Sequence, residues 1–131
     1  MADRKTALRN IAVGDIFHAE APNGASLICL TRRVTETIIY ARRVTTQSYH
    51  EFDRATGVEE CERDPCTIDS ATPLPADIHR IILGLDRKYR EAEYRRAEDP
   101  DRPWDPGESR LTDDQKRGLL FVGSFYRENP I

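Results

Sequence analysis

The segment 26–45 constrains the fold of this chain more than any other part of its 131 residues. It holds two runs rich in β-branched residues, ASLICLTRRV and IIYARRVT, which are separated by Thr35-Glu36-Thr37. β-branched residues favour strands, and two such runs joined by a short polar break are typical of a β-hairpin. We therefore predict an antiparallel hairpin over these residues.

The register of this hairpin decides which residues share a face, because a shift of one residue exchanges the two faces. With Glu36 at the tip, Val34 pairs with Ile38, and this register segregates the apolar residues best. The first face then holds Ile28, Leu30, Val34, Ile38, Tyr40 and Val44. The second face holds Cys29, Thr31, Arg33, Ile39, Ala41 and Arg43.

Further short strands are predicted before and after the hairpin. They lie at 13–20, 49–52, 58–60 and 66–70, with turn residues at Pro22-Asn23-Gly24 and over 53–57. Short strands joined by tight turns over 12–71 predict a small antiparallel β-barrel or a strongly bent meander sheet. The pattern resembles an SH3-like small barrel in strand number and spacing.

Two helices are predicted after the sheet. Apolar residues recur at helical spacing over 76–97, and Thr112 with Gln115 forms a capping box that starts a helix over 111–127. The segment 98–110 between them is rich in proline and predicts a loop. The expected fold is a single α+β domain over 1–131, with the sheet first and two helices after it.

Composition limits the class of protein. The net charge of −3 is too small to select a partner, and no apolar run approaches the ~18 residues of a membrane span. The start of the chain, MADRKTALRN, has no apolar stretch of signal-peptide length. Three cysteines are an odd number, which favours a reducing compartment over a disulfide framework. We therefore expect a cytoplasmic protein without a membrane partner.

The hairpin also carries a cluster of basic residues. The candidate polyanion-binding residues are Arg32, Arg33, Arg42 and Arg43. Acidic residues dominate the following segment 51–77, so the fold can pair the two segments internally. We favour internal pairing, and nucleic acid is the disfavoured partner.

A second candidate site combines His50 with Cys61 and Cys66. The two cysteines are spaced C-x4-C, which is not the spacing that structural zinc prefers. The sequence contains none of the usual nucleophile, metalloprotease or phosphate-loop motifs. We therefore assign no catalytic residue, no metal ligand and no cofactor.

The last predicted helix is apolar over more than one face. Its candidate interface residues are Leu119, Phe121, Val122, Phe125 and Tyr126. A helix of this kind is either buried on several sides or shared with another chain. We therefore expect a homo-oligomer.

The sequence as a whole favours a non-catalytic binding or adaptor domain that acts through protein contacts. One alternative is a small barrel that binds nucleic acid through the arginines between 32 and 43. The other is an enzyme or metal protein that uses His50, Cys61 and Cys66.

Overall fold

A five-stranded antiparallel sheet forms the centre of the fold in a computed structural model that describes residues 3–103 and 110–131. The strands are β1 (Ile16–Glu20), β2 (Ser26–Val34), β3 (Ile38–Arg43), β4 (Tyr49–Asp53) and β5 (Thr67–Ser70). Their order is β4-β3-β2-β1-β5, and the sheet curls into a half-barrel. The helices are α1 (Arg4–Asn10), α2 (Ala76–Glu98) and α3 (Asp113–Glu128). The predicted α+β fold, a curled sheet followed by two helices, is confirmed.

A short segment joins the two edge strands of the sheet. Residues 57–60 hydrogen-bond to β4 through Asp53 N–H and the Val58 carbonyl, and to the start of β5 through Glu59 N–H and the Cys66 carbonyl, each at 2.8 Å. Gly57 begins this segment with φ of +74°, a conformation that residues other than glycine rarely adopt. The segment covers backbone groups that edge strands would otherwise expose.

The inner, concave face of the sheet holds one hydrophobic cluster. Phe17 and Phe52 meet there edge to face with their ring centroids 5.5 Å apart. Cys29, Ile39 and Ala41 are fully buried beside them, so the second predicted face of the hairpin faces this core except at Arg33, which is exposed and pairs with Tyr40.

Helix α1 closes this cluster and was not among the predicted elements. The side chain of Asp3 caps it by accepting from Thr6 N–H at 2.7 Å, and Leu8 and Ile11 are buried in the inner cluster. Arg4 donates to the carbonyls of Ile68 and Thr56, each at 2.6 Å, which fastens α1 to the sheet.

The outer face of the sheet packs against α2 and α3. Leu30 and Val44 belong to a second hydrophobic cluster, the outer cluster. It also includes Ile82 and Leu85 of α2 and Val122 of α3. The predicted loop 98–110 falls partly on 104–109, which lie outside the described residues. Within the described ranges no helix has the length and apolar character to cross a membrane.

The β2–β3 register follows the prediction only in part. Leu30 pairs with Arg42 as predicted, but a β-bulge between Thr31 and Arg33 shifts the remaining pairs by one residue. Val34 therefore pairs with Ile39 instead of Ile38 and packs against the inner cluster. The predicted Val34–Ile38 pairing is wrong because β2 contains one extra residue at the bulge.

Candidate functional site

Arg42 is bound by a carboxylate of α2. Its Nε and Nη2 donate to the two oxygens of Asp86 at 3.0 and 2.7 Å, and the two side chains are only 13% and 4% exposed. Gln47 Nε2 donates to the same carboxylate at 3.0 Å and to the Val44 carbonyl at 2.8 Å. Arg42 therefore fastens β3 to α2, and its guanidinium is not directed to solvent.

The charge of Asp86 depends on these partners. Burial by itself raises the pKa of this carboxyl, but hydrogen bonds from Arg42 and Gln47 and the charge of Arg42 outweigh burial and lower the pKa. Asp86 is therefore ionised at neutral pH.

Arg43 lies on the inner side of β3. Its Nη2 donates to the Ser26 carbonyl at 3.2 Å, while its Nε is buried and has no hydrogen-bond partner among the described residues. The side chain of Arg43 therefore binds the backbone of β2 within the sheet.

Arg32 and Arg33 are arranged differently, because both are exposed and both lie over tyrosine rings. The Cζ of Arg32 is 4.3 Å from the ring centroid of Tyr49, and the Cζ of Arg33 is 4.5 Å from that of Tyr40. The four arginines that the sequence grouped together are thus divided between the interior and the surface.

His50 belongs to a hydrogen-bonded network at the edge strand β4. Its Nδ1 lies 2.6 Å from Glu59 Oε2, and its Nε2 lies 3.0 Å from Ser48 Oγ. Glu59 Oε1 also accepts from the Cys66 backbone N–H at 3.1 Å. The network ties β4 to the residues before β5.

The Ser48 hydroxyl, the His50 imidazole and the Glu59 carboxylate are linked in the same order as the three members of a nucleophilic triad. Ser48 is exposed, however, and its Oγ also lies 2.7 Å from Thr46 Oγ1. Such catalysis depends on excluding water and on donors for an oxyanion beside the nucleophile. We interpret the network as a cross-link between strands.

The two loop cysteines differ in their surroundings. Burial and, after it, the neighbouring Glu59 raise the pKa of Cys66 to about 11, so its thiol is protonated at neutral pH. Cys61 is exposed, and its Sγ donates to the Arg63 carbonyl at 3.2 Å. Among the described residues no group of three potential ligands is arranged to hold a metal ion.

An open groove runs between α2 and α3. It has a volume of about 520 Å³, a floor of apolar and small residues, and a rim of two acidic and two basic residues. The lining residues are Asp77, Ile78, Arg80, Ile81, Asp114, Arg117, Gly118 and Phe121.

The candidate interface residues of α3 occupy different environments. Val122 and Tyr126 are buried in the outer cluster, where Tyr126 Oη donates to the Ile16 carbonyl at 3.3 Å. Leu119 and Phe125 pack partly against the same cluster, whereas Phe121 is 39% exposed. Leu120, which the candidate set omitted, is 77% exposed, and only the orientation of α3 on the sheet reveals this.

No protein-family model, curated protein sequence or solved structure matches this chain. Function is therefore inferred from the residues of the chain itself.

Proposed function

We propose that this chain is a non-catalytic binding domain that acts through protein contacts and associates with a second copy of itself through α3. The observation that supports this most directly is the exposure of Leu120 and Phe121 on a helix whose opposite face is buried. Leaving a large apolar side chain in water forgoes about 1.5–3 kcal/mol relative to burial.

The charges on α3 favour a second copy as the occupant of this surface. Asp113 and Arg127 lie two helical turns before and after Leu120, and both are exposed. A two-fold interface requires a surface that is complementary to itself. If two copies of α3 pack antiparallel with Leu120 at the two-fold axis, Asp113 of each copy lies opposite Arg127 of the other.

Small residues beside Leu120 allow the two backbones to approach each other. Gly123 and Ser124 are exposed on the same side of α3, and a Cβ added to Gly123 would meet nothing within 4 Å. Leu120 of the second copy can therefore pack over them. The rim of the groove carries both signs of charge on α3, a negative charge at Asp114 and a positive charge at Arg117.

We further propose a cytoplasmic location. All three cysteines are free thiols, and Cys29 and Cys66 are buried. Free thiols persist in compartments that keep cysteine reduced.

The self-association surface is tested with Leu120→Glu and Phe121→Glu. Each places a charge where the second copy would bury an apolar side chain, so each should convert a dimer to a monomer in multi-angle light scattering. Val13→Glu is the matched control, because Val13 is 62% exposed but lies outside α3. The proposal is wrong if the unmodified chain and all three variants have the same monomeric mass.

A further inference from the structure

We propose that a second surface of this domain binds single-stranded nucleic acid. We call it the arginine–tyrosine surface, and it consists of Arg32, Arg33, Tyr40 and Tyr49. It lies on strands β2, β3 and β4 and does not include α3, so this inference goes beyond the proposed self-association.

The β-bulge in β2 creates this surface. Successive residues of a regular strand point to opposite faces, so two neighbouring arginines would normally be separated. Because the register shifts between Thr31 and Arg33, Arg32 and Arg33 both lie over rings on the outer side of the sheet. Bulges that redirect a side chain are frequent at functional sites.

The described part of the chain places no neutralising contact on the positive charge of this surface. Among the described residues no carboxylate oxygen lies within 4.0 Å of the Arg32 or Arg33 guanidinium. Two of the acidic residues expected to pair with the arginines have other partners: Glu59 binds His50, and Asp53 accepts from backbone N–H groups of its own turn. Within residues 3–103 and 110–131, Arg42 is the only one of the four clustered arginines with a carboxylate partner.

The pairing of arginine with tyrosine points to unpaired bases as the ligand. Tyr49 is 68% exposed, and the guanidinium carbon of Arg32, itself an exposed residue, lies over its ring at 4.3 Å from the centroid. Bases of single strands stack on aromatic rings and on guanidinium planes while arginine N–H groups contact phosphates. Bases of a duplex are already stacked on one another and are not available in this way.

One neighbouring carboxylate opposes binding. Glu51 pairs with Tyr40 across β3 and β4, which places it on the same face, and it is exposed. The net charge of −3 acts in the same direction, so we expect binding that is weak and confined to low salt.

Fluorescence anisotropy of the full chain with labelled oligo(U) and oligo(dT) of about 12 nucleotides tests the proposal. Arg32→Gln and Arg33→Gln should each reduce the salt slope of log affinity by about 0.7. Tyr49→Ala should weaken binding about tenfold without changing that slope, whereas Tyr49→Phe retains the ring and should bind like the unmodified chain. Glu51→Gln should strengthen binding.

The controls separate this surface from general charge and from self-association. Arg9→Gln removes the same charge from α1, at the inner face of the half-barrel, and should leave affinity and salt slope nearly unchanged. Leu120→Glu should bind as well as the unmodified chain. The proposal is overturned if no binding occurs at low salt. It is equally overturned if duplex DNA binds as tightly as the single strands, or if Tyr49→Ala binds like Tyr49→Phe.

Discussion

Asp86 illustrates how a charged residue is accommodated inside a small domain. Its carboxylate is almost completely inaccessible, yet both oxygens accept hydrogen bonds, from Arg42 and from Gln47. Gln47 reaches the carboxylate from a left-handed backbone conformation with φ of +62°. A buried ion pair adds little net stability over apolar residues, but removing one partner leaves an uncompensated charge. The network therefore makes the packing of α2 on the β3–β4 turn specific.

Replacing Asp86 by asparagine tests this role. Asp86→Asn leaves the Arg42 guanidinium buried without a counter-charge, and we expect the free energy of unfolding at neutral pH to fall by about 3 kcal/mol. Glu93→Gln is the control, because it removes a carboxylate from the exposed ion pair with Arg96 and should change stability by less than about 0.5 kcal/mol. Urea denaturation measures both.

The Asp86→Asn variant also tests how the free energy of unfolding depends on pH. The pKa of Asp86 is lower in the folded chain than in the unfolded chain, so its stabilisation is complete above the unfolded value of about 3.8 and is lost as pH falls below it. The stability difference between the unmodified chain and Asp86→Asn should therefore shrink on acidification. A difference that stays constant from neutral pH to below pH ~3 would contradict the assignment.

At the scale of elements, the crossing of α2 and α3 depends on one glycine. A Cβ added to Gly118 would lie 2.7 Å from Ile81 Cγ2, well inside contact distance. The two helices can therefore approach closely only where α3 has no side chain. Gly123 lies one and a half turns later, and no described atom of the same chain lies within 4 Å of a Cβ added there, so it has no such constraint within one chain.

Two glycine substitutions in α3 separate packing from helix propensity. Gly118→Ala should destabilise the domain by about 1–3 kcal/mol, because Ile81 or the helix backbone must move. Gly123→Ala, made in the Leu120→Glu background so that no second copy packs over Gly123, should stabilise the domain by up to about 1 kcal/mol, because alanine favours the helix. Thermal unfolding of both variants should therefore shift in opposite directions, and a shared direction would show that the crossing is misassigned.

The sequence predicts the elements whose signals are local. The capping box at Thr112 and Gln115, the helical spacing over 76–97 and the turn ending at Gly57 each depend on neighbouring residues, and each is present in the structure. Helix α1 is stabilised instead by contacts with residues distant in sequence, such as those of Arg4 with Ile68 and Thr56. Its only local signals are the Asp3 cap and the spacing of Leu8 and Ile11.

The candidate sites could be predicted less well from the sequence, because they too depend on contacts between residues that are distant in sequence. The β2 bulge requires knowledge of the partner strand, and it decides that Arg32 and Arg33 share a surface. Whether Leu120 or Val122 faces water depends on how α3 lies against the sheet. Composition and spacing indicate which residues are available for a site, and tertiary packing decides which of them are exposed.

At the scale of the whole molecule, the two proposed surfaces are built on different elements. Self-association uses α3, and nucleic-acid binding uses the outer side of β2, β3 and β4. Both faces of the sheet are otherwise occupied by the two hydrophobic clusters. This separation allows a dimer to present two arginine–tyrosine surfaces, one on each copy.

A mixing experiment with two charge-reversed chains tests the antiparallel α3 interface most directly. Asp113→Arg places two arginines opposite each other at both ends of the interface, and Arg127→Asp places two aspartates there. Each variant alone should therefore sediment as a 15.0 kDa monomer, whereas an equimolar mixture restores both opposite-charge pairs and should sediment as a dimer. An unmodified chain that remains a 15.0 kDa monomer at tens of micromolar, or a mixture no more associated than its components, would contradict the proposed assembly.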